Sequence, residues 1–142
     1  MPWLSADAAR QFIADRHRGV LVTIKSSDGR PQLSNVAYAL IGDEIRVSVT
    51  DTRAKTANVH KDPRVSLYVT SDDFWTYVVA EGTAHLTPVA RTPGDHTCQR
   101  LLETYEAAAG KPHPDHDEFF QAMVDDHRQE LSFVIEYVYP VT

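Results

Sequence analysis

Residues 19–40 read GVLVTIKSSDGRPQLSNVAYAL, and this stretch decides the fold. Val20, Val22 and Ile24 alternate with Leu21, Thr23 and Lys25, the two-residue period of a strand. Ser26 to Pro31 then forms a turn with Asp28-Gly29 at its centre, a dipeptide that accepts the positive φ angles of a tight hairpin. Gln32–Leu40 resumes the alternation. Gln32, Ser34, Val36 and Tyr38 fall on one face, and Leu33, Asn35, Ala37 and Ala39 on the other. Successive strands joined this tightly pair antiparallel.

The pattern extends in both directions. Upstream, residues 5–18 predict a helix capped by Ser5, with Ala9, Phe12 and Ile13 on one face and Gly19 as its stop. Downstream, Ile45, Val47 and Val49 predict the inward face of a third strand, and Thr52–Lys61 a short helix broken before Asp62-Pro63. Val65, Leu67 and Val69 mark a fourth strand. Trp75–Thr87 marks a long fifth strand, bent at Gly82. Thr92-Pro93 opens a helix that carries Cys98, Leu101, Leu102 and Tyr105 and ends at Gly110. A further helix bears Phe119, Phe120, Met123, Val124 and His127. Leu131, Phe133, Ile135, Tyr137 and Tyr139 alternate as a sixth strand. The expectation is one domain over residues 1–142, mainly β with α. Its six antiparallel strands close into a small barrel with paired edges and flanking helices.

Composition narrows the function. A chain of 142 residues with 42% hydrophobic and 24% charged residues builds one core and is not disordered. A net charge of −6 disfavours nucleic-acid backbones and anionic membranes as partners. The longest apolar runs, such as Val78–Ala80, fall far short of the roughly 20 residues of a spanning helix. Residues 1–7 have neither the basic nor the apolar region of a secretory signal, and Cys98 is the sole cysteine. A cytoplasmic protein is expected.

The few positive charges are gathered. Segment 51–64 carries Arg53, Lys55, Lys61 and Arg64 against Asp51 and Asp62, whereas segment 91–130 has nine acidic and four basic residues. Arg53 and Lys55 fall in the first turn of the short helix, where the dipole favours Asp or Glu by about 0.3–1 kcal/mol. A bound phosphate would resolve this conflict through free backbone N–H groups, the Arg53 fork and the Lys55 point charge, with Thr52 and Thr56 as further donors. Pairing of the two cations with Asp51 or Asp62 at a solvated helix end is the alternative. Gln32, Ser34 and Asn35 set hydrogen-bonding side chains on a strand, suited to an amide-rich heterocycle or to plain solvent exposure. Trp75 and Tyr77 share a face and suit a planar ligand, a protein interface or the core. His113 and His116 sit in a Pro-interrupted loop without a second ligand motif, so no metal site is expected. Cys98 and His127 lie on apolar helix stripes and read as packed. The chain has no Walker, Rossmann or Gly-x-Ser-x-Gly motif.

Three stretches together resemble a known family. They are residues 19–36, then Arg53-Ala-Lys-Thr-Ala-Asn58 with Asp62-Pro-Arg64, then Trp75-Thr-Tyr-Val-Val-Ala-Glu-Gly-Thr-Ala84. Their order and spacing resemble the pyridoxamine-phosphate-oxidase-like flavoproteins with an FMN-binding split β-barrel, closest to the actinobacterial branch that uses the deazaflavin coenzyme F420. The resemblance implies a homodimer with two cofactor sites at the subunit interface. It implies that Arg53, Ala54, Lys55, Thr56 and Asn58 hold the coenzyme phosphate and adjoining polar groups. Gln32, Ser34, Asn35 and Ser48 would line the ring or ribityl side, and Trp75 and Tyr77 would reach in from the other subunit. The implied activity is hydride transfer from reduced coenzyme F420 to an electron-poor conjugated acceptor such as an enone or quinone, with no identified catalytic side chain. FMN is the alternative cofactor, and a non-catalytic carrier of coenzyme F420 the alternative role. Oxidation of vitamin B6 phosphates is not expected, because neither Trp nor Arg follows Arg128.

Overall fold

The computed structural model describes residues 3–142, so the first two residues of the N-terminal stretch read above lie outside the described residues. Helix α1 (Ala6–Ala14) precedes strands β1 (Arg18–Ile24), β2 (Pro31–Ala37), β3 (Ala39–Ile41) and β4 (Glu44–Thr50). Helix α2 (Ala54–Lys61) leads into β5 (Arg64–Thr70), β6 (Tyr77–Thr83) and β7 (His85–Leu86). Helices α3 (His96–Ala109) and α4 (His116–Asp125) come next, and β8 (Arg128–Val134) and β9 (Tyr137–Tyr139) end the chain.

Two antiparallel sheets form, in the orders β2-β1-β5-β6-β9 and β3-β4-β8-β7. This is a split β-barrel with flanking helices. It corrects the expectation of six strands closed on themselves: three of those strands each serve both sheets, and the two ladders do not join. Gln32–Leu40 divides at Tyr38, whose N–H leaves the ladder to donate to the His17 carbonyl at 2.9 Å. Trp75–Thr87 divides at Ala84, whose N–H donates to Pro63 at 2.8 Å. The last strand divides at Ile135 and Glu136, which donate to Asp43 and Glu81. Gly82 stands where β6 crosses β8: a Cβ there would lie 2.5 Å from the Val134 carbonyl, so only glycine lets the two backbones approach.

The inner faces share one core built from Leu21, Ile45, Val47, Leu67, Val78, Leu131 and Phe133. Leu21 and Thr23 are the inward residues of β1, which leaves Val20 and Val22 on the outer face. The register places Val20 beside Tyr68, Tyr68 beside Val79, and Val79 beside Tyr139, so an apolar row crosses the outer side of the five-stranded sheet. Tyr68 and Tyr77 stack on that face with centroids 5.5 Å apart.

Several element ends differ from the reading. Helix α1 stops at Ala14, and Gly19 lies inside β1, where a Cβ would come within 2.7 Å of the Tyr68 carbonyl. The cap of α3 is Asp95 rather than Thr92, its side chain accepting from Cys98 N at 2.9 Å, while Gly110 closes the helix at φ 72° as expected. His127 is exposed and left-handed at φ 54°, joining α4 to β8 instead of packing. Helices α3 and α4 enclose a small core of their own, made of Leu101, Leu102 and Phe119. Among the described residues no helix is long and apolar enough to cross a membrane.

Candidate cofactor-binding cleft

A cleft of about 660 Å³ opens at the seam where β2 passes into β3. Strand β2 supplies Ser34 and Asn35, strand β4 supplies Ser48 and Thr50, and the start of α2 supplies Arg53 and Lys55. Arg128, the first residue of β8, lies directly across the ladder from Thr50. The opposite wall comes from α3 (Leu101, Thr104, Tyr105, Ala108) and α4 (Phe119, Met123).

The basic end of the cleft is electrostatically unsettled. Arg53 is the N-cap of α2 and makes no side-chain cap bond, and the first turn holds no acidic residue. Among the described residues neither Arg53 nor Lys55 forms an ion pair, since Asp62 is taken by Arg64 at 2.8 Å. Burial, reinforced by the Arg53 and Arg128 guanidinium groups, holds the Lys55 ammonium below the usual lysine range. Arg128 has one distant carboxylate, Asp126 at 3.9 Å. Ser34 Oγ, Thr50 Oγ1 and Arg128 Nε are buried without a hydrogen-bond partner among the described residues, and all three residues line this cleft. Buried polar atoms are nearly always paired, so unpaired ones converging on one cavity point to a ligand that completes them.

The expected site residues therefore divide. The cleft brings together Ser34, Asn35, Ser48, Arg53 and Lys55. Thr56 and Asn58 instead secure α2 to the barrel. Thr56 Oγ1 donates to the Thr50 carbonyl at 2.7 Å. Asn58 Nδ2 donates to Thr23 Oγ1 at 3.1 Å, and its Oδ1 accepts from Ser26 N. They position Arg53 and Lys55 rather than line the cavity. Ala54 is exposed, and Gln32 is half-buried outside the lining. Trp75 sits before β6, in a loop, and is 75% exposed, while Tyr77 packs on Tyr68. Neither lines this chain's own cleft. Thr50, Arg128 and the helical wall were not anticipated.

A buried ion network holds that wall. Glu130, fully buried, accepts from Thr104 Oγ1 at 2.6 Å and from Arg100 Nε at 3.0 Å. Glu44 bridges Arg100 and Arg46 at 2.9 and 2.7 Å, which ties α3 to β4 and β8. Burial pushes the Glu130 carboxyl upward, against the pull of Thr104 and the two arginines.

This geometry defines a class: a split β-barrel protein with a cationic, hydrogen-bonding ligand cleft at its seam. The family model described as pyridoxamine 5'-phosphate oxidase matches residues 5–142, and the chain belongs to that family. Among similar solved structures, the conserved hypothetical protein Rv2991 from Mycobacterium tuberculosis is 23% identical with a TM-score of 0.74, covering 95% of this chain and 82% of its own. A protein described as an F420 reductase is 21% identical with a TM-score of 0.64, covering 89% and 93%. An FAD-binding protein from Mesorhizobium loti is 21% identical with a TM-score of 0.66, covering 95% and 90%. At these identities the likeness is one of fold.

Proposed function

We propose that this protein is an oxidoreductase that binds coenzyme F420 in the seam cleft and delivers hydride to an electron-poor conjugated acceptor such as an enone or quinone. One observation carries the reading: Arg53, Lys55 and Arg128 converge on a cleft whose buried Ser34, Thr50 and Arg128 polar atoms have no partner. Such a cleft fits a ligand with a phosphate at one end and a hydrogen-bonding heterocycle beside it. The bound deazaflavin supplies hydride chemistry, and the protein supplies binding, orientation and exclusion of water. In this reading Arg53 and Lys55 hold the phosphate, Arg128 adds a third cationic contact, and Ser34, Asn35 and Ser48 bond the ring or ribityl side. Family membership and the fold shared with a protein described as an F420 reductase support it.

FMN is the second cofactor reading, because it offers a phosphate to the same cations and an FAD-binding protein shares the fold. Equilibrium titration with coenzyme F420 and with FMN decides between them. The proposal expects F420 to bind more tightly; FMN binding without F420 binding at tens of micromolar would reassign the cofactor.

The functional unit is proposed to be a homodimer. The outer face of the five-stranded sheet carries Val20, Tyr68, Tyr77 and Tyr139, none of them fully buried, and Leu33 and Tyr137 are each 58% exposed. A second copy seated on that face would cover the apolar row and bring Trp75 and Tyr77 toward the neighbouring cleft.

A further inference from the structure

We propose that the α3–α4 wall of the cleft is the subsite for the acceptor, and that it selects an uncharged, largely apolar molecule. This rests on reading the opposite side of the cleft as the cofactor site. The two walls differ in chemistry. The barrel side sets Ser34, Asn35, Ser48, Thr50, Arg53, Lys55 and Arg128 among Val36, Ala37, Tyr38 and Val49, whereas the helical side is Leu101, Ala108, Phe119 and Met123 with Thr104 and Tyr105.

Among the described residues α3 brings two hydroxyls to the cleft, those of Thr104 and Tyr105, and the first is already committed. Its Oγ1 lies 2.6 Å from Glu130 and 3.1 Å from the Arg100 carbonyl, so its proton is used inside the fold. Turning that hydroxyl toward a ligand would deprive a fully buried carboxylate of a donor. An amide-rich heterocycle finds its partners on the barrel side. The helical side suits a ligand that needs few, since among the described residues the Tyr105 hydroxyl is the one side-chain O–H left there and a further polar group desolvated on it stays unpaired.

Charge points the same way. The outer surfaces of these two helices and their joining loop carry Glu106, Asp115, Asp117, Glu118 and Asp125 against Lys111, while Glu103 is paired with Arg46 and Asp126 lies near Arg128. An anionic ligand approaching over them is repelled, while the cofactor phosphate is drawn to Arg53, Lys55 and Arg128 at the other end. The acidic excess of segment 91–130 thus acquires a role as a filter on acceptor charge. The wall is also fixed in place: Leu101 and Phe119 belong to the α3–α4 core as well as to the cleft, and the Glu130–Arg100 pair holds α3 to the barrel.

Equilibrium calorimetry tests this without turnover. Naphthoquinone and naphthoquinone sulfonate are titrated into protein saturated with its oxidised cofactor. The expected result is binding of the neutral quinone at least about tenfold tighter than the sulfonate. Ala108→Leu, a substitution that suits a helix, fills the apolar side and should weaken the neutral quinone about tenfold with cofactor affinity unchanged within about twofold. Met123→Lys should narrow the preference by favouring the sulfonate. Equal affinity for the two quinones, or an Ala108→Leu variant that loses the cofactor instead of the quinone, would overturn the assignment. If Ala108→Leu does not fold, the Met123→Lys ratio decides. Wild-type protein that binds neither coenzyme F420 nor FMN would sink the cofactor reading instead. The quinone pair titrated into that cofactor-free protein would still judge the wall.

Discussion

Arg53 and Lys55 show what a single residue can disclose. Two cations where the helix dipole favours anions are a local contradiction, visible in the sequence because it needs only the helix to be recognised. The structure sharpens it: among the described residues neither cation has an acidic partner, and burial with neighbouring charge disfavours the Lys55 ammonium. Arg128 carries no comparable signal. It reads as any arginine after a helix, and only the β4–β8 ladder brings it opposite Thr50. Thr56 and Asn58, whose side chains bond to the barrel, show a related point: a polar residue beside a binding motif looks the same in sequence whether it faces the ligand or the barrel. Asp95 permits a test at this scale. Burial would raise its carboxyl, but backbone N–H donors of Arg91, Cys98 and Thr92 outweigh that and hold it at about 2, below the ordinary 3.8. Its contribution is therefore complete above pH 3.8 and is lost as the pH falls through about 2. Asp95→Ala should cost about 1–2 kcal/mol at neutral pH in denaturant unfolding, and the gap to wild type should shrink in strong acid. A variant as stable as wild type at neutral pH would contradict this role for Asp95.

At the scale of elements, the hairpin, the helices and the succession of helical and strand segments along the chain were legible because each has its own period or turn chemistry. The division of three strands between two sheets was not. Both sheets turn their inner faces to one core, so the hydrophobic alternation continues past the corner and gives no sign of the switch. The consecutive buried pair Tyr38 and Ala39 shows in structure what alternation conceals. Tyr38 is anchored there by its hydroxyl, which donates to the Ile13 carbonyl at 2.6 Å. Gly82 was legible as a bend, but its cause lies in another strand. Gly82→Ala forces a methyl group against Val134 and Phe133, which cannot yield without separating β6 from β8. A loss of about 2–3 kcal/mol or more in thermal or denaturant unfolding is expected. A change below about 0.5 kcal/mol would show that the two strands have room to part.

For the whole molecule, the average charge conceals a polarity that organises the cleft: a basic end at α2 and β8, and an acidic outer surface on α3 and α4. The apolar row on the five-stranded sheet sets the other large-scale expectation. Light scattering should give twice the chain mass, and Tyr68→Glu, which puts a charge in the apolar row, should yield monomers with weaker cofactor binding. A wild-type monomer that still binds cofactor tightly would rule out the dimer as the functional unit. The cations at the start of α2 are proposed to hold the phosphate of a deazaflavin cofactor. Fluorescence titration of coenzyme F420 into wild-type protein and the Arg53→Ala/Lys55→Ala variant addresses it most directly. Saturable wild-type binding with a Kd on the order of micromolar and a loss of at least about tenfold in the folded variant are expected. Equal affinity in the two proteins, or no wild-type binding at tens of micromolar, would contradict it.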